Sequence, residues 1–550
     1  MRNILTITFI AFSFLAVNSQ QIEFVEYDLD NGLHVILHQD NTAPVITTAV
    51  SYHVGSKDEE EGRTGFAHFF EHLLFEGTKN IEEGQWFKIV EANGGSNNAY
   101  TSDDQTYYYE VFPSNKLELS LWMESERMLH PIIRQEDRIT LQEGVVKEEK
   151  NFRLRNAPYG ALLYAVRSNL YRKHPYGRLT IGLDKDLEAA NIDDFKKFNQ
   201  LYHKPNNATL VVAGDIDVEE AKMLIKKYFN DIPSSELNKK EFPKEDPITE
   251  TIEATWYDPN IQVPALLIGY ITPKMTSRES RVLNLLSTYL SDGKSSVLYK
   301  KMIDEKKMAL GVQTINLAQE DYGTYLMLAV PLGDFTLDDL LSEIDEEITK
   351  VQKDLISDRD YEKLQNILES QFVSRNASIE GIANSLSDYH TFYGDANLIN
   401  TEIEIYQSVT KEEIREVARK YFYWLERIFP FLRVEHTNEK VSIYMRGIKK
   451  PLIDMKKDLL TSSDDYCLLY IHSGLLSEET NRGRLIFRTI IGGRYTMVEI
   501  HDFVPRLPWF IYKYSQAIIH LITMKMFNHY LLRLNQNTRP YKVTDQKIKN

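Results

Sequence analysis

Residues 65–78 read GFAHFFEHLLFEGT, with two histidines four apart and a glutamate directly before the second. On an α-helix each residue advances about 100°, so His68 and His72 differ by about 40° and Glu71 falls inside the same arc of roughly 100°. All three side chains face one point, while Phe69, Phe70, Leu73 and Leu74 project elsewhere and pack the helix into a domain. Two imidazoles and one carboxylate make a catalytic zinc shell, whose fourth position holds a water that the ion acidifies to a pKa of about 7. A third ligand must then come from outside this helix. Any fold the chain adopts has to carry a distant acid onto the histidines, or else the pair is incidental to a solvated amphipathic helix.

Glu76, one turn past His72, would crowd a fourth side chain onto the same helix and suits a tetrahedral ion poorly. A better source is the later helical stretch 137–153, DRITLQEGVVKEEKNFR. Leu141, Val145 and Phe152 read as its apolar stripe, and Glu149 is placed nearer the buried side than Glu148. An acid on the buried side of a helix needs a partner, and a metal supplies one, so Glu149 is favoured as the third ligand. Glu71 shares the helix with both histidines but lies at the edge of their arc. It is therefore read as a general base, which takes a proton from water during attack on a carbonyl and hands it to the leaving amine.

The rest of the chain supplies the setting. With 550 residues, 43% of them hydrophobic, it exceeds one ordinary core and implies two or more domains. Cys467 is the single cysteine, which excludes an internal disulfide framework and leaves His and carboxylate as metal ligands. The net charge of -16 argues against a nucleic-acid partner, which calls for clustered Lys and Arg. That charge is unevenly spread: from Tyr423 onward 20 Lys+Arg face 12 Asp+Glu, so the tail is +8 and the preceding part -24. Residues 1–19 have a basic start at Arg2 and an apolar run from Ile4 to Val17, too short for a membrane span of about 20 residues. They are read as a secretory signal peptide, and the protein is expected to be exported, periplasmic or secreted.

Strand-like HVILHQD and VITTAVSYHVGS precede the histidine helix. Helical patterns follow over 82–93, 115–130, 135–154 and 192–202, and NATLVVAGDI, 207–216, reads as a buried strand. The polar, Pro-bearing stretch from residue 232 to about 255 reads as a linker between an N-terminal domain, 20–231, and a second domain, 256–422. Beyond it a similar order restarts: a strand at 263–271, a helix at 278–290 and a strand at 325–333, without a histidine pair. The fold class expected is α+β, with two homologous domains, each a mostly antiparallel sheet with helices packed on it. The tail, 423–550, follows neither pattern and is left as an unassigned basic segment. Its stretch LPWFIYKYSQAIIHLITMKMF, 507–527, is a poor membrane span because Lys513, His520 and Lys525 interrupt it.

These residues resemble the pitrilysin/insulinase family of metallopeptidases, in which the zinc-binding motif runs in the inverted order His-x-x-Glu-His. Glu149 lies 77 residues after His72, and GGSNNAYTSDDQTYYYEVF, LWMESERM, VVKEEKNFRLRNAPYG, HPYGRLTIG and YHKPNNATLVVAGDI follow in the family's order. The likeness runs from about Ile22 to Phe422. It implies one zinc ion per chain held by His68, His72 and Glu149, Glu71 as general base, and cleavage of short peptides or unfolded segments. It also implies that the substrate adds as a strand to a sheet edge at Asn98 and Ala99, which as bare sequence read as a turn after Gly94-Gly95. Gln142 stands where many relatives carry a second, supporting glutamate. Active members complete the site with an Arg and a Tyr seven residues apart, where YKKMIDEKKMALGV has Ile303 and Leu310 on what reads as a helix. A zinc-less homologous subunit is therefore expected to supply that pair in a heterodimer resembling the two-chain branch, with a homodimer as the alternative. A non-catalytic assembly or binding subunit is the competing function.

Overall fold

The computed structural model describes residues 21–131, 136–236, 240–248 and 251–422, together with strand segments between 432 and 501. The expected signal peptide and the apolar stretch 507–527 lie outside the described residues. The chain forms two compact units, Met1–Tyr423 and Trp424–Asn550.

In the first unit, β1 (Val25–Asp28), β2 (His34–Gln39) and β3 (Val45–Tyr52) lead into α1 (Phe66–Leu73) and α2 (Trp86–Ala92). The hairpin of β4 (Ser96–Thr101) and β5 (Thr106–Pro113) follows. Next come α3 (Leu117–Leu129), α4 (Glu136–Lys150), α5 (Leu162–Leu170), α6 (Asp184–Glu188) and α7 (Ile192–Tyr202), and then β6 (Ala208–Gly214) and α8 (Val218–Phe229). The sheet order is β1-β2-β6-β3-β5-β4, with β2 and β6 parallel and every other pair antiparallel. Strand β6 is buried at every position of ATLVVAG because both of its faces are covered, which is why it reads as an unbroken apolar run. Strand β4 is at the edge, and SNNAYT alternates between exposed and half-buried positions.

One face of this sheet packs against Phe66, Phe69, Phe70, Leu121, Phe195 and Ile225 of the helices around it. The opposite face, with Ile36, Ala49, Tyr107, Val211 and Ala213, is covered from the second half of the same unit. That half contains β7 (Leu266–Pro273), α9 (Arg278–Ser291), β8 (Ala309–Ala318) and β9 (Tyr322–Pro331). It continues with α10 (Leu337–Lys353), α11 (Asp358–Arg375), α12 (Ile379–Asp388), α13 (Leu398–Gln407) and α14 (Lys411–Phe422). Ile382, Ala383 and Leu386 of α12 and the following Tyr389 are the covering residues. Strands β7, β9 and β8 form an antiparallel sheet in that order, the same order as β3-β5-β4, with helical segments between its first two strands as in the first half. The duplicated α+β architecture is therefore real. The second sheet is nevertheless smaller, because no counterpart of β1, β2 or β6 pairs with it among the described residues.

The segment that carries Ile303 and Leu310 is not one helix. Tyr299–Glu305 is a π-helical turn, the chain breaks at Lys307 with φ 49, and Ala309 opens β8. Ile303 packs on the second core while Leu310 is exposed. The polar stretch after residue 231 is pinned in part, since the Glu245 carboxylate accepts the backbone N–H of Lys173 and of His174, both at 2.6 Å.

The β8–β9 turn docks on the β4–β5 turn. Lys57 is buried and pairs with Asp104 at 2.9 Å and with Glu320, which also meets His53 at 2.8 Å. Gln319 donates to Asp103 at 2.7 Å, the Glu320 backbone N–H donates to Asp104 at 3.1 Å, and Arg167 grips Asp103 with both terminal nitrogens. The second half thus braces the end of the edge strand.

The second unit contains six strands, β10 (Leu432–His436), β11 (Lys440–Met445), β12 (Pro451–Lys457), β13 (Tyr466–Ser473), β14 (Arg484–Ile490) and β15 (Tyr495–His501). They pair antiparallel in chain order. No helix among the described residues is long and apolar enough to cross a membrane.

Candidate metal centre

Helix α1 begins at Gly65, whose φ of 91° suits glycine, and whose missing side chain cannot cap the helix. Glu59 does so instead, accepting the N–H groups of Gly65 and Ala67 at 2.9 Å each. Phe66, Ala67, Phe69, Phe70 and Leu73 bury one side of the helix, which turns His68, Glu71 and His72 to the other. His68 is buried and His72 half-buried.

Helix α4 brings the acid. Glu149 Oε2 lies 3.4 Å from His68 Nε2 and 3.1 Å from His72 Nε2, and the three ligand atoms fall within 4.8 Å of one another. Ligands on a tetrahedral ion with bonds of 2.0–2.2 Å stand about 3.3 Å apart, so these separations are the edges of a zinc shell. The donor set, two imidazoles and a carboxylate, fits the same ion. Hydrogen bonds from the two histidines, aided by Arg153 at 2.9 Å from Oε1, hold the Glu149 carboxyl well below the usual carboxylate range. His68 Nδ1 is buried without a hydrogen-bond partner among the described residues, so no protein acceptor orients that ring.

Glu149 is brought to the histidines for a different reason than the apolar stripe suggested. Leu141, Val145 and Phe152 are exposed, and Glu148 with them. At 100° per residue the stripe is centred about 40° from Glu148 and about 60° from Glu149, so it points away from the ligand. The inward arc of α4 is polar: Gln142, Val146 and Lys150 are buried and Glu149 half-buried. Lys150 sets that arc, donating to Gly182 O and to Asp184 Oδ1, both at 2.7 Å. Gly182 in turn abuts the start of α1, where a Cβ on it would lie 2.4 Å from Thr64 O and 2.5 Å from Gly65 Cα. One glycine turn thus fixes both helices. Neither Lys150 nor Gly182 stood out in the sequence, although the closely spaced Gly177 and Gly182 marked the turn.

Glu71 is half-buried, and its Oε2 accepts from Thr101 Oγ1 at 2.7 Å. Thr101 ends β4, two residues past Ala99, and the sequence reading passed over it. Asn98 and Ala99 lie within β4 rather than in a turn, paired with Tyr109 and Tyr108 of β5. The Ala99 N–H donates to Asn98 Oδ1 at 2.9 Å. Glu76 is held by Gln142 Nε2 and takes no part in the cluster.

Comparison with known proteins matches residues 34–183 to the family described as insulinase (peptidase family M16) and residues 189–368 to the peptidase M16 inactive domain. The zinc protease PqqE of Helicobacter pylori is 30% identical over 410 residues, covering 74% of this chain and 91% of that protein. A probable mitochondrial-processing peptidase subunit beta of Arabidopsis thaliana is 24% identical over 404 residues, 72% of this chain and 75% of that one. The crystal structure of a protease from Helicobacter pylori superposes with a TM-score of 0.66 at 29% identity, covering 73% of this chain and 97% of that chain. This chain belongs to peptidase family M16.

Proposed function

We propose that this chain is a zinc-dependent endopeptidase that hydrolyses short peptides or unfolded segments. Its His68, His72 and Glu149 would hold one zinc ion, and Glu71 would act as general base. The observation that carries the reading is the single carboxylate oxygen of Glu149 at 3.4 and 3.1 Å from two histidine nitrogens that α1 points at it. When bound, the ion supplies Lewis acidity toward a carbonyl and makes water a nucleophile near neutral pH.

The chain's own groups do the rest. Thr101 holds one oxygen of Glu71 at 2.7 Å, which leaves the other to take a proton from the attacking water and pass it to the departing amine. The outer edge of β4 accepts the substrate as an added strand at Asn98 and Ala99, a recognition mode carried by backbone hydrogen bonds. Because Ala99 N–H already donates to Asn98 Oδ1, a substrate carbonyl has only to replace that bond. Glu71 and the substrate are then registered to the same strand. Ile303 and Leu310 offer no hydrogen bond to a developing oxyanion, so a zinc-less homologous subunit is proposed to complete the site, with a second copy of this chain as the alternative. The relative named a subunit supports the pairing. The leader at 1–19 supports an exported location.

Glu71→Gln tests the base. The variant should keep its zinc and lose cleavage of a mixed peptide pool by about 100-fold or more, whether assayed alone or with the partner. Turnover retained at the wild-type rate would sink the assignment.

A further inference from the structure

A second cluster of metal-binding side chains lies away from α1. In the antiparallel pairing of β1 with β2, Asp28 stands opposite His34 and Glu26 opposite Ile36, so all four side chains share one face of the sheet. It is the face covered by α12, and Ile36 and Tyr389 meet in its core. The π-helical turn Tyr389–Tyr393 that follows α12 lays the ring of His390 flat on His34, with centroids 3.4 Å apart and planes 4° from parallel.

The polar atoms around His34 do not balance as a hydrogen-bonded set. Nδ1 meets Asp28 Oδ1 at 2.8 Å, the arrangement in which a carboxylate fixes a metal-binding tautomer. That leaves Nε2 as a lone pair. It is buried, has no hydrogen-bond partner, and faces Glu26 Oε2 at 3.4 Å. This is longer than an N–H···O bond, and it equals the edge between His68 and Glu149 in the first cluster. Burial, with His34 alongside, pushes the His390 imidazole down to about 4, so that ring too is neutral and carries a lone pair near pH 7. Ligand atoms of Glu26, His34 and His390 all lie within 4.8 Å of one another.

We propose that Glu26, His34 and His390 form a second site for zinc or a neighbouring divalent transition ion, which ties the edge of the first sheet to the second half of the unit. Closing on one ion requires one stacked ring to rotate about χ2, a soft torsion for histidine. Three protein ligands with a half-exposed carboxylate make an open, exchangeable site with water in the remaining position. It needs neither the peptidase reading nor the first cluster.

The test is zinc content of the full chain after equilibration in a zinc buffer. It compares wild type with Glu26→Gln, whose exposed side chain puts folding at little risk, and with His390→Ala. Each variant should carry about one zinc fewer than wild type, whatever the total, while Glu149→Gln keeps the ion at Glu26. An anomalous-scattering peak between Glu26 and His34 in crystals would agree. Equal zinc in wild type and Glu26→Gln, with no peak there, overturns the proposal in favour of a protonated His34 held by its two acids. Loss confined to Glu149→Gln overturns it as well.

Discussion

Replacing Gly182 by alanine should loosen the metal centre without touching a ligand. Gly182 sits at φ +79, and an added Cβ would lie 2.4 Å from Thr64 O, 2.5 Å from Gly65 Cα and 2.6 Å from Gly65 N. The left-handed backbone costs a non-glycine residue about 1–2 kcal/mol. All three close atoms are backbone, so the turn must move, at about 1–3 kcal/mol for forced overpacking. The sum, roughly 2–5 kcal/mol, corresponds to a fall in unfolding midpoint of roughly 5–15 °C for a domain of this size. Because Lys150 donates to Gly182 O, a moved turn also moves the residue after Glu149. Displacing such a support lowers metal affinity by about 10–100-fold. The assay is a zinc titration against a competing chelator, paired with thermal unfolding of chelator-treated protein. A variant that melts earlier but binds zinc as tightly as wild type refutes the claim that this turn sets the Glu149 position. One that changes neither quantity refutes the steric argument too.

Thr101→Val removes the hydroxyl that donates to Glu71. Loss of a hydrogen bond to a charged group, about 1.5–3 kcal/mol, should lower kcat by about 10–100-fold with little change in KM. Thr101→Ser should restore most of it, and equal losses in both variants would refute the role. Asp388, on α12, is buried, and that burial lifts its carboxyl from 3.8 to about 6 despite hydrogen bonds from Gln105 and Asn384. The neutral acid is therefore the form the fold prefers: its stabilisation is complete below pH 4 and is lost as pH rises through 6. Asp388→Asn, which cannot ionise, should gain on wild type by up to about 3 kcal/mol between pH 4 and pH 7 in parallel denaturation curves. A stability difference that does not change with pH would show that the wild-type carboxyl ionises freely.

Much of the site was legible because helical spacing alone puts His68, Glu71 and His72 on one face, and the flanking Phe and Leu bury the other. Glu149 was read correctly from an argument that fails, since the apolar stripe of α4 faces solvent. Apolar periodicity locates a buried face only when apolar residues fill it. Here Gln142, Lys150 and Glu149 fill the inward arc, each tied to a polar partner from another element, and those partners are 32 to 77 residues distant. Thr101 was missed for a similar reason. Its role depends on how β4 meets α1, which spacing within NNAYT does not encode, and Asn98 and Ala99 read as a turn until β5 paired with them.

The two halves show why element order overstates likeness. Strand β3 is buried at all positions but Val45, whereas its counterpart β7 is buried only at Thr272. The difference is β6, which pairs with β3 on one side and β2 on the other, and so walls in the centre of the first sheet. In the first half β6 follows α7 after a short loop. Among the described residues after α14, the next strands belong to the other unit, so β7 keeps β9 as its one neighbour. A zinc shell needs its helices held to within a fraction of an ångström. The half with the completed sheet carries the ligands, and the other half contributes the α12 face and the turn at 319–321 that braces β4.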